Sequence, residues 1–293
     1  MRSCVAIVVA LGACKEREPA RPAPAAPAIV AADAAAHQGC QQLPFAETTP
    51  VPEASAAAWL EIDGKLALVV VSDSGNHGMY GIVDPETGVT GEQGKLPLGG
   101  GGDDIEGLAI KDGKLYGLVS NGYMLVWQRK PGGFDLVDGP YPIGQPGDMV
   151  CKTKPGNCGK NYEGLALAPG STACAGFACS KADGTLYCLT EQHGRLVADK
   201  SRAIHVDKPD AVADCAFSDA KELWVGDNFI GLSQVFRVDG WQDPATAKVV
   251  PIEPLGVGFA EVIAVRGDVI YRMSDTGGAP SGMAKFRCAA IPR

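Results

Sequence analysis

Short apolar runs alternate along the chain with Gly-, Asp- and Asn-containing turns, and the alternation repeats. Five segments share one order: a polar or acidic residue, an apolar strand, a turn, a second apolar strand and a closing polar pair. The first runs from Glu53-Ala54-Ser55 through the turn Asp63-Gly64 to Ser72-Asp73. The second has Ile105-Glu106-Gly107-Leu108-Ala109, the turn Asp112-Gly113 and Ser120-Asn121. The third has Tyr162-Glu163-Gly164-Leu165-Ala166, the turn Asp183-Gly184 and Thr190-Glu191. The fourth has Ala213-Asp214-Cys215-Ala216-Phe217 and Gly226-Asp227. The fifth has Ala260-Glu261-Val262-Ile263-Ala264, the turn Arg266-Gly267-Asp268 and Ser274-Asp275. Asp-Gly between apolar runs is a strong hairpin signal. A third strand follows in most repeats, as in Met79–Val83 and Gln234–Val238.

Strand repeats of roughly 40–50 residues point to propeller blades. Residues 39–293 divide into five blades of about 51 residues, or six if another lies in Gly132–Asn161. A two-sheet sandwich is the competing all-β fold, but it does not require the same polar positions to recur. In a blade, the residue opening the first strand and the residue closing the second lie on one face, near the axis. The repeat therefore predicts that Ser55, Glu106, Glu163, Asp214 and Glu261 share a mouth with Asp73, Asn121, Glu191, Asp227 and Asp275. Eight of these ten are carboxylates. So many carboxylates must be hydrated, protonated or bridged by cations. Oxygen donors without Cys or His suit calcium or magnesium, and several ligands from a roomy mouth favour calcium. Glu106, Glu163, Asp214, Glu261, Asp227 and Asp275 are the expected metal ligands, with Asp73, Asn121 and Glu191 as ligand-binding groups. Acidic residues at blade starts can also simply accept backbone N–H bonds in inter-blade turns. His77 and His193, in Asn76-His77-Gly78 and Gln192-His193-Gly194, are candidate general acids or bases on this face. Lys152, Lys154 and Lys160, in the loop before the third blade, are candidate ligands for phosphate or carboxylate.

Glu53-Ala54-Ser55, Val71-Ser72-Asp73-Ser74-Gly75-Asn76 and Asp104-Ile105-Glu106-Gly107-Leu108-Ala109 resemble the esterase-like, phytase-like β-propeller families. The resemblance covers about residues 50–290 in repeat pattern, and its sharp motifs extend to about Ala166. It departs at Ala56, where the families usually have Gly. It implies a propeller fold; the families' names do not fix a reaction.

The 38 Gly and 21 Pro make up about a fifth of 293 residues, which suits many short strands and argues against a helical bundle. A formal net charge of −8, without a long basic run, makes nucleic acid an unsuitable partner. Arg2, the apolar run Val5–Leu11 and Leu11-Gly12-Ala13-Cys14 resemble a bacterial lipoprotein signal, residues 1–13, with Cys14 as the lipidated residue. An ordinary cleaved signal with an incidental Cys is the alternative. Lys15 after the Cys implies the outer membrane by the rule known for enteric bacteria. Residues 14–38 are rich in Ala and Pro and read as a tether. The expected location is thus the cell envelope, facing the periplasm or the cell surface. Eight Cys remain for an oxidising compartment, and they allow 105 connectivities. The expected bonds are Cys40–Cys288, Cys151–Cys158, Cys174–Cys179 and Cys188–Cys215.

Two functions compete. One is a monomeric, membrane-tethered propeller that binds a small anionic ligand or an envelope partner at a calcium-bearing mouth. The other is a metal-dependent hydrolase acting on a phosphate ester or lactone at the same mouth. The absence of a legible nucleophile–base pair favours binding.

Overall fold

The computed structural model describes residues 39–144, 161–170, 173–208, 210–228 and 233–288. All regular elements among them are strands, arranged as five blades of a β-propeller. The first blade contains β3 (Ala54–Ile62), β4 (Lys65–Ser72), β5 (Met79–Val83) and β6 (Thr90–Lys95). The second contains β7 (Ile105–Lys111), β8 (Lys114–Val119), β9 (Tyr123–Lys130) and β10 (Gly133–Pro142). The third contains β11 (Tyr162–Leu167), β12 (Gly176–Ser180), β13 (Thr185–Gln192) and β14 (Arg195–His205). The fourth contains β15 (Val212–Phe217), β16 (Leu223–Asp227), β17 (Gln234–Asp239) and β18 (Lys248–Pro254). The fifth contains β19 (Phe259–Arg266), β20 (Val269–Asp275) and β21 (Pro280–Cys288). It is completed by the first strand of the chain, β1 (Cys40–Leu43), while β2 (Thr48–Pro52) pairs with the start of β21.

Burial explains the order within a blade. The innermost strands pack between neighbouring blades on both sides, and β11 is buried at every position. Such strands read as nearly continuous apolar runs rather than alternating ones. The outer strand β6 instead alternates half-buried and exposed residues. The stretch 132–161, read above as room for a sixth blade, supplies β10; residues 145–160, with Cys151, Cys158, Lys152, Lys154 and Lys160, lie outside the described residues, as does Cys14.

The third blade corrects the sequence reading. Its second strand is β12, and Asp183-Gly184 joins the second strand to the third rather than the first to the second. Cys188 therefore stands on the third strand and cannot staple to the fourth blade. The bonds are Cys174–Cys188 and Cys179–Cys215 rather than Cys174–Cys179 and Cys188–Cys215. Cys179, on the second strand, crosses to Cys215 on the next blade's inner strand, with Cα atoms 6.4 Å apart.

Closure of the ring follows the expectation. Cys40 and Cys288 are directly opposed in the β1–β21 register and are bonded. The bond closes the ring where two strand edges would otherwise stay open. Its sequence separation of 248 gives a chain-entropy contribution of about 5 kcal/mol as an upper value. Cys40→Ser with Cys288→Ser should therefore lower stability by up to about 5 kcal/mol in denaturant melts. Non-reducing peptide mapping should show Cys40 linked to Cys288, and any other partner would contradict the closure.

Candidate functional site

Every inner strand is bulged at the same point, between Ala54/Ala56, Ile105/Gly107, Tyr162/Gly164, Val212/Asp214 and Ala260/Val262. A bulge leaves one residue unpaired and re-aims its side chain. The bulged residues are Ser55, Glu106, Glu163, Ala213 and Glu261. Asp214 thus stands one position further on than the repeat predicted, in the place of Gly107 and Gly164. A Cβ on Gly107 would lie 2.5 Å from Leu165 N, and one on Gly164 would lie 2.6 Å from Cys215 N. That position faces the next blade's backbone. In the fourth blade Asp214 fills it, accepting from its own neighbour Cys215 N (2.7 Å) and from Ile263 N (3.0 Å). Asp214 is therefore an inter-blade strut rather than a mouth ligand. Burial pushes its carboxyl well above the usual range despite those two N–H donors. Beside it the buried Arg272 guanidinium donates to Asp227 O (2.9 Å) and Ala260 O (3.2 Å), lying over Gly226 where a Cβ would collide with it.

The second set of mouth residues also follows from register. Asp73, Ser120, Lys181 and Asn228 each donate their backbone N–H back to the chain just before the blade's first strand. Asn121 is one residue too far; its side chain accepts from Tyr123 N within its turn (3.3 Å). Asp227 is one residue too early; it is buried and accepts from Gln234 N (2.6 Å). Asp275 closes the rim and accepts from Gly277 N (2.8 Å). Glu191 and His193 lie at the end of β13 and in the turn after it, on the opposite face, where Glu191 pairs with Lys111 (2.7 Å). His77 stays on the mouth side but is 73% exposed, 3.6 Å from Asp103 Oδ2.

The mouth that results has two halves. In one, Asp73, Asp104 and Glu106 bring carboxylate oxygens within 4.8 Å of one another. Burial, followed by the hydrogen bond and charge of Asp73, raises Asp104 to about 7. Glu106 is also pushed well above its ordinary value, by burial and then by Glu163, Asp73, Glu261 and Asp104. In the other half, Lys181 Nζ donates to Glu163 Oε2 (2.8 Å) and lies 3.8 Å from Glu261 Oε1, bridging two blades that are not neighbours. Asn161 donates to Glu163 (2.6 Å) and Asn228 to Glu261 (3.1 Å). Burial raises Glu163 to about 8 and Glu261 to about 7, with Lys181 opposing both. Burial pulls the Lys181 ammonium down, but the Glu163 and Glu261 charges hold it above its ordinary value.

Sequence reasoning placed Glu106, Glu163, Glu261 and Asp73 correctly in the mouth. It passed over Asp104, Asn161, Lys181 and Asn228. Asp104 and Asn161 carried a usable signal, since each stands two residues before a Glu-Gly-Leu-Ala run.

No known protein family matches the chain, and no curated protein matches it. Among solved structures it is similar to a glutaminyl cyclase from Myxococcus xanthus, at 14% identity and a TM-score of 0.51, covering 85% of this chain and 97% of that one. It is also similar to a luciferin-regenerating enzyme, at 10% identity and a TM-score of 0.48, covering 84% and 95%. The five sheets establish the class, a five-bladed β-propeller, and the likeness to the glutaminyl cyclase bears on that fold alone.

Carboxyls whose folded-state values lie above their unfolded ones stabilise fully below about pH 4 and lose that contribution as pH rises through the folded values. In chelator, the melting temperature should therefore fall between about pH 5 and pH 8 through Asp104, Glu261 and Glu163. Lys181→Met should cost about 2–3 kcal/mol at pH 8 and less at pH 5, where the carboxyls carry protons. Melts of the two proteins across this range check both; a pH-independent difference would contradict the pairing.

Proposed function

We propose that the chain is an extracytoplasmic propeller that binds calcium at Asp73, Asp104 and Glu106 and uses the charged mouth to hold a small anionic ligand. The single observation that carries the reading is Glu106. It is 7% exposed, accepts no hydrogen bond among the described residues, and faces two further carboxylates. A buried carboxylate without donors is costly, and a divalent cation would remove that cost by displacing its proton. The all-oxygen donor set fits a hard cation, and calcium accepts the largest and most flexible number of oxygens. With the cation in place, Lys181 across the mouth would add a second positive group for a phosphate or carboxylate.

The hydrolase reading has one observation in its favour. Glu163, raised to about 8 and bonded to Lys181, would hold a proton near neutral pH and could exchange it with a bound ester or lactone. Calcium would then serve as Lewis acid. Release of product from a phosphate ester or lactone, lost on Glu163→Gln, would favour this reading over binding alone.

An envelope location is supported by the lipoprotein-like sequence at residues 1–14, the Ala- and Pro-rich sequence over 14–38 and the three disulfides, which suit an oxidising compartment. Cys14→Ser should shift the protein from membrane to soluble fractions; unchanged membrane association would remove the lipid anchor from the account.

Calcium at 100 times its dissociation constant should stabilise the fold by about 2.7 kcal/mol. Glu106→Gln should abolish that gain while leaving a cooperative melt. Titration calorimetry without binding at millimolar calcium would overturn the proposal.

A further inference from the structure

The face opposite the acidic mouth carries a second concavity, of about 860 Å³. Its wall is built by residues at one equivalent position of all five inner strands: Trp59, Ile110, Leu167, Phe217 and Val265. Each follows an alanine, and the alanines also align: Ala58, Ala109, Ala166, Ala216 and Ala264. They line a narrower apolar cavity of about 120 Å³, which shares Trp59, Ile110, Leu167 and Phe217 with the wide opening. The opening therefore narrows from an aromatic and aliphatic funnel into an alanine-lined bore. Trp59, Ile110 and Phe217 remain half-buried, each packed against a blade core while lining the funnel.

The side chains that line the bore are all apolar, and apolar walls accept apolar guests. Its volume matches roughly four groups of water or methylene size. The rim is polar, and most of its charged groups are engaged within the chain. Lys111 is paired with Glu191 (2.7 Å), Asp219 accepts from Gly267 N (2.7 Å), and the Arg266 guanidinium lies 5.9 Å from the centre of the Trp59 ring. Asp112 completes it. Two cations, Lys111 and Arg266, thus share the rim with three carboxylates, Asp112, Glu191 and Asp219, so the rim offers hydrogen bonds to a head group and no surplus cation for an anionic one.

From this shape we propose that the funnel is a binding site for an amphiphile with one aliphatic chain and an uncharged polar head, such as an alcohol, ester or glycoside. The chain enters the bore between the alanines. The head stays among Lys111, Asp112, Asp219 and Arg266. The site is separate from the acidic mouth and does not depend on calcium there.

Titration calorimetry of the full chain with 1-octanol and with octyl glucoside below its micelle concentration tests the proposal. Octanoate and octyltrimethylammonium serve as charged comparators. Both neutral probes should bind saturably with one molecule per chain and at least tenfold more tightly than either charged probe. Ala216→Leu should plug the bore and weaken binding at least tenfold, with calcium binding unchanged. Ala109→Leu, from another blade, makes the same test should the first variant fail to fold. Absence of saturable binding, or binding unaffected by a folded plug variant, would overturn the site. Tighter binding of a charged probe would overturn the assignment of the head group.

Discussion

Five inner strands converge on one axis, and their bulged residues have to share the space where they meet. Three of those residues are glutamates, and Asp73 and Asp104 join them from adjoining positions. Carboxylates withdrawn from water this close together cannot all ionise without a counter-charge. The surrounding structure answers that constraint unevenly. Glu163 and Glu261 have Lys181 between them and an amide donor each, whereas Glu106 feels the Lys181 charge only at longer range and accepts no hydrogen bond among the described residues. The asymmetry divides the mouth into a half neutralised by the chain itself and a half left for protons or a cation.

The same geometry orders the rest of the propeller. Below the polar layer the inner strands turn apolar, the alanines at equivalent positions allow close approach at the axis, and larger side chains open the far funnel. Cys179–Cys215 ties the third blade to the fourth, Asp214 ties the fourth to the fifth through Ile263, and Cys40–Cys288 holds the last blade to the start of the chain. The axial positions are thus fixed by bonds between blades as well as by packing within them.

Much of this was legible in the sequence because the repeat is carried by short, strong signals. Glu-Gly-Leu-Ala marked two inner strands, and Asp-Gly turns marked hairpins. The readings that failed did so for one local reason each. Asp183-Gly184 is a genuine hairpin turn, but it joins the second and third strands, which moved Glu191 and His193 to the far face and concealed Lys181. In the fourth blade the bulged residue is Ala213, so Asp214 stands one residue further on and its side chain turns from the axis to the neighbouring blade. Pairing of Cys174, Cys179, Cys188 and Cys215 depended on the strand order of the third blade and failed with it. Lys181 is an isolated lysine in a loop, and its role appears once distant carboxylates converge on it.

The most direct test of the central claim is a crystal structure of calcium-soaked protein at pH 8, with anomalous differences recorded for the metal. The account predicts a peak among the carboxylate oxygens of Asp73, Asp104 and Glu106, with Lys181 still between Glu163 and Glu261. A mouth without a peak there, or with a peak held instead by Asp227 and Asp275, would contradict it.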